Sequence, residues 1–279
     1  MGLKINIGCG YRFHKDWLNL DLHSHSSGVV ACDLTKGIPA KSGAAEVVYA
    51  AAVLEHIRPA DVPGFLAECH RVLTKDGVIR LAVPDFEQQA KVYLDTLVRI
   101  DQGDYSAISD RDWMILEMLD QSIREKSGGE MLRFLLQENI PNRDFILQRI
   151  GVEGSDLLDQ ISKNRSSWLE VPFNGPKKTQ VPFGKLGRIL LKWLLNSDNL
   201  EKDLQALEIG RFRLMSGEVH QWAYDKYSLE RVFTNAGFSQ VAKCEHGKSR
   251  IPDWESYHLE VGETGLVEKP DLLVMEAVK

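Results

Sequence analysis

Residues 4–21, KINIGCGYRFHKDWLNLD, restrict the fold more than any other part of this chain. Lys4-Ile-Asn-Ile7 is a short apolar run that stops at Gly8-Cys9-Gly10, as a buried parallel strand stops at a tight turn. Glycines at such a turn let the backbone take positive φ and come close to a ligand. A second strand, Trp17-Leu-Asn-Leu20, ends in Asp21 and puts a carboxylate at its carboxyl end. Open α/β sheets bind nucleotide-like ligands at that edge, where a carboxylate can accept two hydrogen bonds from a ribose diol. The connection between the two strands is too short for a full crossover helix, so one helical turn or none is expected. The dinucleotide fingerprint does not fit. Phe13 stands where its third glycine belongs, and Asp21 comes too early for its acidic residue.

The rhythm continues downstream. Residues 29–32 read as a third strand closed by Asp33, and residues 45–50 as a fourth, followed by Ala51-Ala-Val-Leu-Glu-His56. Asp61 is placed to cap a helix running to about Leu73, with Pro63 in its first turn. Phe65, Leu66, Cys69, Val72 and Leu73 give that helix one apolar face, Gly77 ends the element, and residues 78–83 form a fifth buried strand. From 86 to about 213 helical periods replace this order, at 86–100, 110–124, 130–138, 145–150 and 156–163, with breaks at glycines and Pro141. Ser228 then caps a short helix ended by Gly237, and residues 239–244 and 272–277 supply two last strands.

The opening stretch, AEVVYAAAVLEHI and FLAECHRVLTKDGVIRLAVPD together resemble class I S-adenosylmethionine-dependent methyltransferases over residues 4–85. The tail, GEVHQWAYDKYSLERVFTNAGF with SRIPDWESYHLE and EKPDLLVMEAVK, looks like a bacterial type 11 subgroup, many of whose members are associated with cell-surface polysaccharide synthesis. The resemblance implies an α/β Rossmann-like fold: a seven-stranded, mostly parallel sheet with an antiparallel edge strand and a helical insertion. The corresponding division is a core of residues 1–85 and 214–279 and an insertion or lid of 86–213. It also implies S-adenosylmethionine as cofactor, with Asn6, Gly8, Cys9, Gly10, Asp21, Leu22, Asp33, Leu34 and Ala51 around it. Two positions depart from the family pattern: Asn6 replaces the usual acid and Tyr11 the last glycine.

Methyl transfer needs the acceptor lone pair in line with the S–CH₃ bond, and a hydroxyl acceptor benefits from a base near neutral pKa. His56, past strand four, and His220, in a polar-aromatic run, are the candidate bases, with His258 third. Each also has a plain structural reading, as a loop-holding or partly exposed histidine. Trp222 and Tyr224 could wall a sugar face, and Arg250 could bind an acceptor carboxylate or phosphate. Some relatives bind a divalent metal through E-x-x-E-H; Glu55 and His56 match, but Ala52 replaces the first Glu, so no metal is expected.

A net charge of -6 argues against general nucleic-acid binding. Cys9, Cys32, Cys69 and Cys244 form no C-x-x-C pair, which suits reduced thiols in a cytoplasmic protein. The amino terminus enters a strand directly, without signal-peptide character, and no run approaches the ~20 apolar residues of a membrane span. Residues 163–193 are locally basic, holding Lys163, Arg165, Lys177, Lys178, Lys185, Arg188 and Lys192 against Glu170 alone. Within them, 183–195 sets an apolar face opposite Lys185, Arg188 and Lys192, the pattern of a helix resting on an anionic membrane and equally of an ordinary amphipathic helix. The expected activity is methylation of oxygen on a saccharide or lipid-linked saccharide. The alternatives are a small-molecule N- or C-methyltransferase and a non-catalytic binding protein of the same fold.

Overall fold

The computed structural model describes residues 2–170 and 200–279. Seven strands form one sheet: β1 (Leu3–Ile7), β2 (Leu18–Asp21), β3 (Val29–Ala31), β4 (Ala45–Ala51), β5 (Leu73–Pro84), β6 (Ser239–Cys244) and β7 (Leu272–Val278). Their order across the sheet is β3-β2-β1-β4-β5-β7-β6. β1 to β5 pair in parallel, whereas β7 runs antiparallel to both β5 and β6. The antiparallel strand therefore lies one place in from the rim, with β6 outside it. No helix joins β1 to β2, as the short connection required.

Period-two alternation separates two unlike faces. One is apolar: Ile5, Ile7, Val48, Ala50, Ile79, Leu81, Leu273 and Met275 pack in the main core. Helix α1 (Val62–Val72) covers this face with Phe65, Leu66 and Cys69. The helix over Lys226–Asn235 adds Leu229 and Phe233. The other face carries Asn6, Asn19, Tyr49, Arg80 and Glu276, all buried. Short β1–β2 and β2–β3 connections leave no crossover helices there, and residues 245–260 cover it instead. Ile251, Trp254 and Leu259 pack on Trp17, Val47 and Tyr49.

A charge buried in that layer must be paired. Arg80 donates to Glu260 at 2.7 and 2.6 Å and to Glu276 at 2.6 Å, with its guanidinium 4.7 Å from the Trp254 ring centroid. Arg250 belongs to the same layer, its Nε 3.2 Å from Glu276 Oε2. The network ties the covering segment to β5 and β7.

Between β5 and β6 the described residues are largely helical: α2 (Phe86–Asp101), α3 (Ala107–Ile123), α4 (Gly129–Leu135), α5 (Arg143–Lys163), α6 (Arg165–Glu170), α7 (Leu200–Met215) and α8 (Lys226–Asn235). Trp113, Met114, Leu132, Ile146 and Leu158 form a second core among them. Glu117 accepts from Trp113 Nε1 at 3.1 Å and pairs with Arg149, which also donates to Gln88 at 2.7 Å.

Several local expectations change. The helices expected at 145–150 and 156–163 run on either side of the expected break at Gly151, whose backbone is non-helical (φ 62°, ψ -147°); together they are labelled α5. A side chain at Gly151 would strike Pro270 and the Glu268 carbonyl, so this glycine lets α5 dock on the 267–270 loop. The cap of α8 is Asp225, which accepts from the Ser228 amide at 2.7 Å; Ser228 returns the bond as the third residue of the helix. Asp61 does not cap α1 with its side chain and instead pairs with Arg58 at 2.7 Å. Helix α1 ends at Val72, with Leu73 extended (φ -69°, ψ 142°), well before Gly77, and the left-handed residue there is Asp76 (φ 64°). The amphipathic stretch 183–195 lies outside the described residues.

Candidate active site

The glycine turn leaves β1 with Gly8 at φ +61° and Gly10 at φ +50°. Val53, just past β4, occupies the place where a Gly8 side chain would sit, whereas a side chain at Gly10 would meet nothing within 4 Å. The turn therefore presses its backbone on β4 and opens it to solvent at Gly10. Asn6 holds the shape from inside, its amide donating to the Arg12 carbonyl at 2.9 Å. Asn19 does the same on β2, donating to the carbonyls of His14 at 2.9 Å and Trp17 at 3.0 Å. The Asp21 carboxylate accepts from the Gly10 amide at 2.8 Å. Burial, with Asp21 nearby, pushes the Cys9 thiol up to about 11, so it stays a protonated, inert wall group at neutral pH.

Beside this turn lies a cavity of about 550 Å³. Residues Asn6, Gly8, Cys9, Gly10, Tyr11 and Arg12 line one side, with Tyr49, Ala51, Ala52 and Ala82 from β4, its end and β5. Helix α5 forms the opposite wall with Glu153, Asp156, Leu157 and Gln160, and the C-terminal loop adds Glu260, Glu268 and Lys269. Ion pairs cross it: Arg12 with Glu268, and Lys269 with Glu153 at 2.7 Å. Ala52 sits in the left-handed region at φ +53°, a strained conformation for a residue with a Cβ.

Of the residues expected around a cofactor, Asn6, Gly8, Cys9, Gly10 and Ala51 are on this wall. Asp21, Leu22, Asp33 and Leu34 are not, although Asp21 touches it through Gly10. Leu22 is half exposed, and Asp33 pairs with Lys36 at 3.4 Å. The two candidate histidines come together without lining the cavity: the His56 and His220 rings meet edge to face, centroids 4.7 Å apart. Main-chain bonds clamp their segments. Gln221 and Trp222 amides donate to the Glu55 carbonyl at 2.6 and 3.2 Å, and the His220 amide to Gln121 at 2.9 Å. Desolvation lowers both imidazoles, His220 to about 3, so both are neutral lone-pair donors at pH 7.

Glu55 was not singled out from the sequence. It is 1% exposed, and neither carboxylate oxygen has a hydrogen-bond partner. Burial pushes its carboxyl up to about 8. Its only sequence signal was the partial E-x-x-E-H match. Tyr224 is 3% exposed inside the main core, which leaves it no face for an acceptor, and Arg250, though exposed, pairs with Glu276. Trp222 is 53% exposed beside the Glu55 backbone and stays available. His258 lies in the 245–260 covering region, at φ +51°.

Residues 6–81 match the type 11 family model described as a methyltransferase domain. Similar solved structures include an S-adenosylmethionine-dependent methyltransferase from Mesorhizobium loti, at 18% identity and a TM-score of 0.24, over 30% of this chain and 48% of that one. One from Archaeoglobus fulgidus matches at 11% identity and TM-score 0.36 over 100% of this chain and 87% of the other. One from Thermotoga maritima gives 10%, 0.37, 100% and 83%. In the first two structural matches the chain spans about half the length of the other protein. A search of curated proteins found no match to the chain.

Proposed function

We propose, from the premise that residues 6–81 carry the domain of an S-adenosylmethionine-dependent methyltransferase, that this protein methylates an oxygen of a saccharide or lipid-linked saccharide. The observation that carries the cofactor half is the glycine turn with Asp21 beside the cavity. Its residues fit the group: Gly10 leaves open space where a side chain would stand, and a carboxylate lies at the end of β2. The volume is within the ordinary range for small-molecule sites, roughly 300–1,000 Å³. S-adenosylmethionine, when bound, supplies a methyl group activated by its sulfonium.

The chain's own residues would then act as follows. The Gly8–Gly10 backbone and Asp21 would hold the cofactor. Helix α5 narrows the opening and limits water. A neutral imidazole, His56 or His220, would accept the acceptor's hydroxyl proton. Trp222 offers an exposed aromatic face of the kind that sugars stack on.

A nitrogen acceptor is the second reading. Asp156 on the α5 wall of the cavity favours a cationic amine. A cytoplasmic location and reversible contact of 183–195 with an anionic membrane complete the proposal; among the described residues no helix is long and apolar enough to cross one. Calorimetry with S-adenosylmethionine tests the cofactor half, and product analysis with neutral saccharides against amines tests the acceptor. Absence of cofactor binding would leave only the non-catalytic alternative.

A further inference from the structure

Glu55, His56 and His220 each offer a ligand atom, and these atoms lie within 4.8 Å of one another. From this we infer that the cluster is a binding site for a divalent cation of the zinc class. The absence of a second glutamate at Ala52 counted against a metal; the fold supplies a third ligand from elsewhere, His220, brought in by the segment after α7.

Three independent features support it. The Glu55 carboxylate is nine-tenths or more buried with both oxygens unpartnered, a costly arrangement unless something cationic meets it. His56 Nδ1 lies 3.4 Å from the Val219 carbonyl. A donor bond there puts the proton on Nδ1 and the free lone pair on Nε2, the usual orientation of a metal-bound histidine. The backbone clamps on Glu55, His220 and Trp222 hold the two segments in place before any ion arrives. Two imidazoles with one carboxylate suit Zn²⁺, Co²⁺ or Mn²⁺ better than Mg²⁺, which prefers oxygen and water. Coordination needs ligand atoms roughly 3.3 Å apart, so the three side chains close in on the ion.

Three protein ligands leave a coordination position open. This deepens the proposed reaction and rests on it only for its chemical use. An acceptor hydroxyl reaching the open position would lose its proton to water more readily. The ion takes over the role assigned to a neutral histidine.

The test is metal titration of the full chain, stripped with chelator, in the absence of cofactor and acceptor. Zn²⁺ calorimetry should give one site, weakened tenfold or more in Glu55→Gln and in His220→Gln and unchanged in His25→Ala. Co²⁺ added to the wild type should give visible absorption bands of a nitrogen- and oxygen-ligated ion. No Zn²⁺ binding, no Co²⁺ bands, or wild-type affinity in both variants would overturn the site. S-adenosylmethionine binding is titrated separately, so loss of the metal site and failure of the methyltransferase reading are told apart.

Discussion

The Gly10 amide donates to the Asp21 carboxylate across 2.8 Å, joining the turn after β1 to the end of β2. The acid thus shapes the loop as well as facing the ligand edge. Its other oxygen accepts from the His23 amide at 3.3 Å.

Replacing Asp21 by Ala removes both bonds. Affinity for S-adenosylmethionine should fall by about 1–3 kcal/mol, the scale of hydrogen bonds to a charged group. Calorimetry showing unchanged affinity would remove Asp21 from the cofactor site.

Gly8→Ala should destabilise the fold by roughly 1–3 kcal/mol, because positive φ and the Val53 side chain both oppose a Cβ. Val53→Ala in the same chain should recover part of the loss. A double-mutant cycle on urea midpoints measures this, and strictly additive effects would show that Val53 is not the obstacle.

Trp222 and Tyr224 should separate function from stability. Trp222→Ala is expected to raise the acceptor KM with little change in Tm. Tyr224→Ala should cost roughly 3–5 kcal/mol of stability, as large-to-small changes in a core do, and Tyr224→Phe should leave turnover intact. Thermal melts beside initial-rate kinetics distinguish them; equal Tm losses in both alanine variants would contradict the assignment.

The Asp271 carboxyl is pushed up to about 6, from an ordinary 3.8, by burial and by the Glu117 charge. The folded state therefore binds more protons than the unfolded state between about pH 4 and 6, and stability falls as pH rises through that window. Asp271→Asn should stabilise the protein above pH 6 by roughly 1–3 kcal/mol and have little effect at pH 4. Urea unfolding at both pH values checks this, and a gain at pH 4 as large as at pH 7 would be inconsistent with it.

Arg80→Met should cost roughly 3–5 kcal/mol, since Glu260 would then be buried without a cation and Glu276 left to Arg250 alone. Denaturant unfolding of this variant against Arg80→Met/Glu276→Leu tests the cause. The double variant should be the more stable of the two.

Residues 4–85 announced their strands, the glycine turn, Asp21 and α1 because apolar periodicity and turn chemistry are local properties of the chain. The missing helix after β1 was equally legible, because it depended on chain length alone. Errors began where a local signal had two solutions. Gly77 and Asp76 both suit a turn, and Asp76 takes the positive φ; Asp225 and Ser228 both suit a cap, and they share it. Trp222 and Tyr224 lie two apart in an irregular segment, so no period could say that one faces solvent and the other the core.

Tertiary structure alone joined groups distant in sequence. Arg12 and Glu268 are 256 positions apart. Arg80 meets Glu260 and Glu276 only because the short β1–β2 and β2–β3 connections leave a sheet face for 245–260 to cover. Glu55, His56 and His220 converge only because the chain returns from the helices to clamp the end of β4. Each such pairing depends on which segments meet across the fold. Burial then determines whether a charge is paired, neutral or left to bind something else.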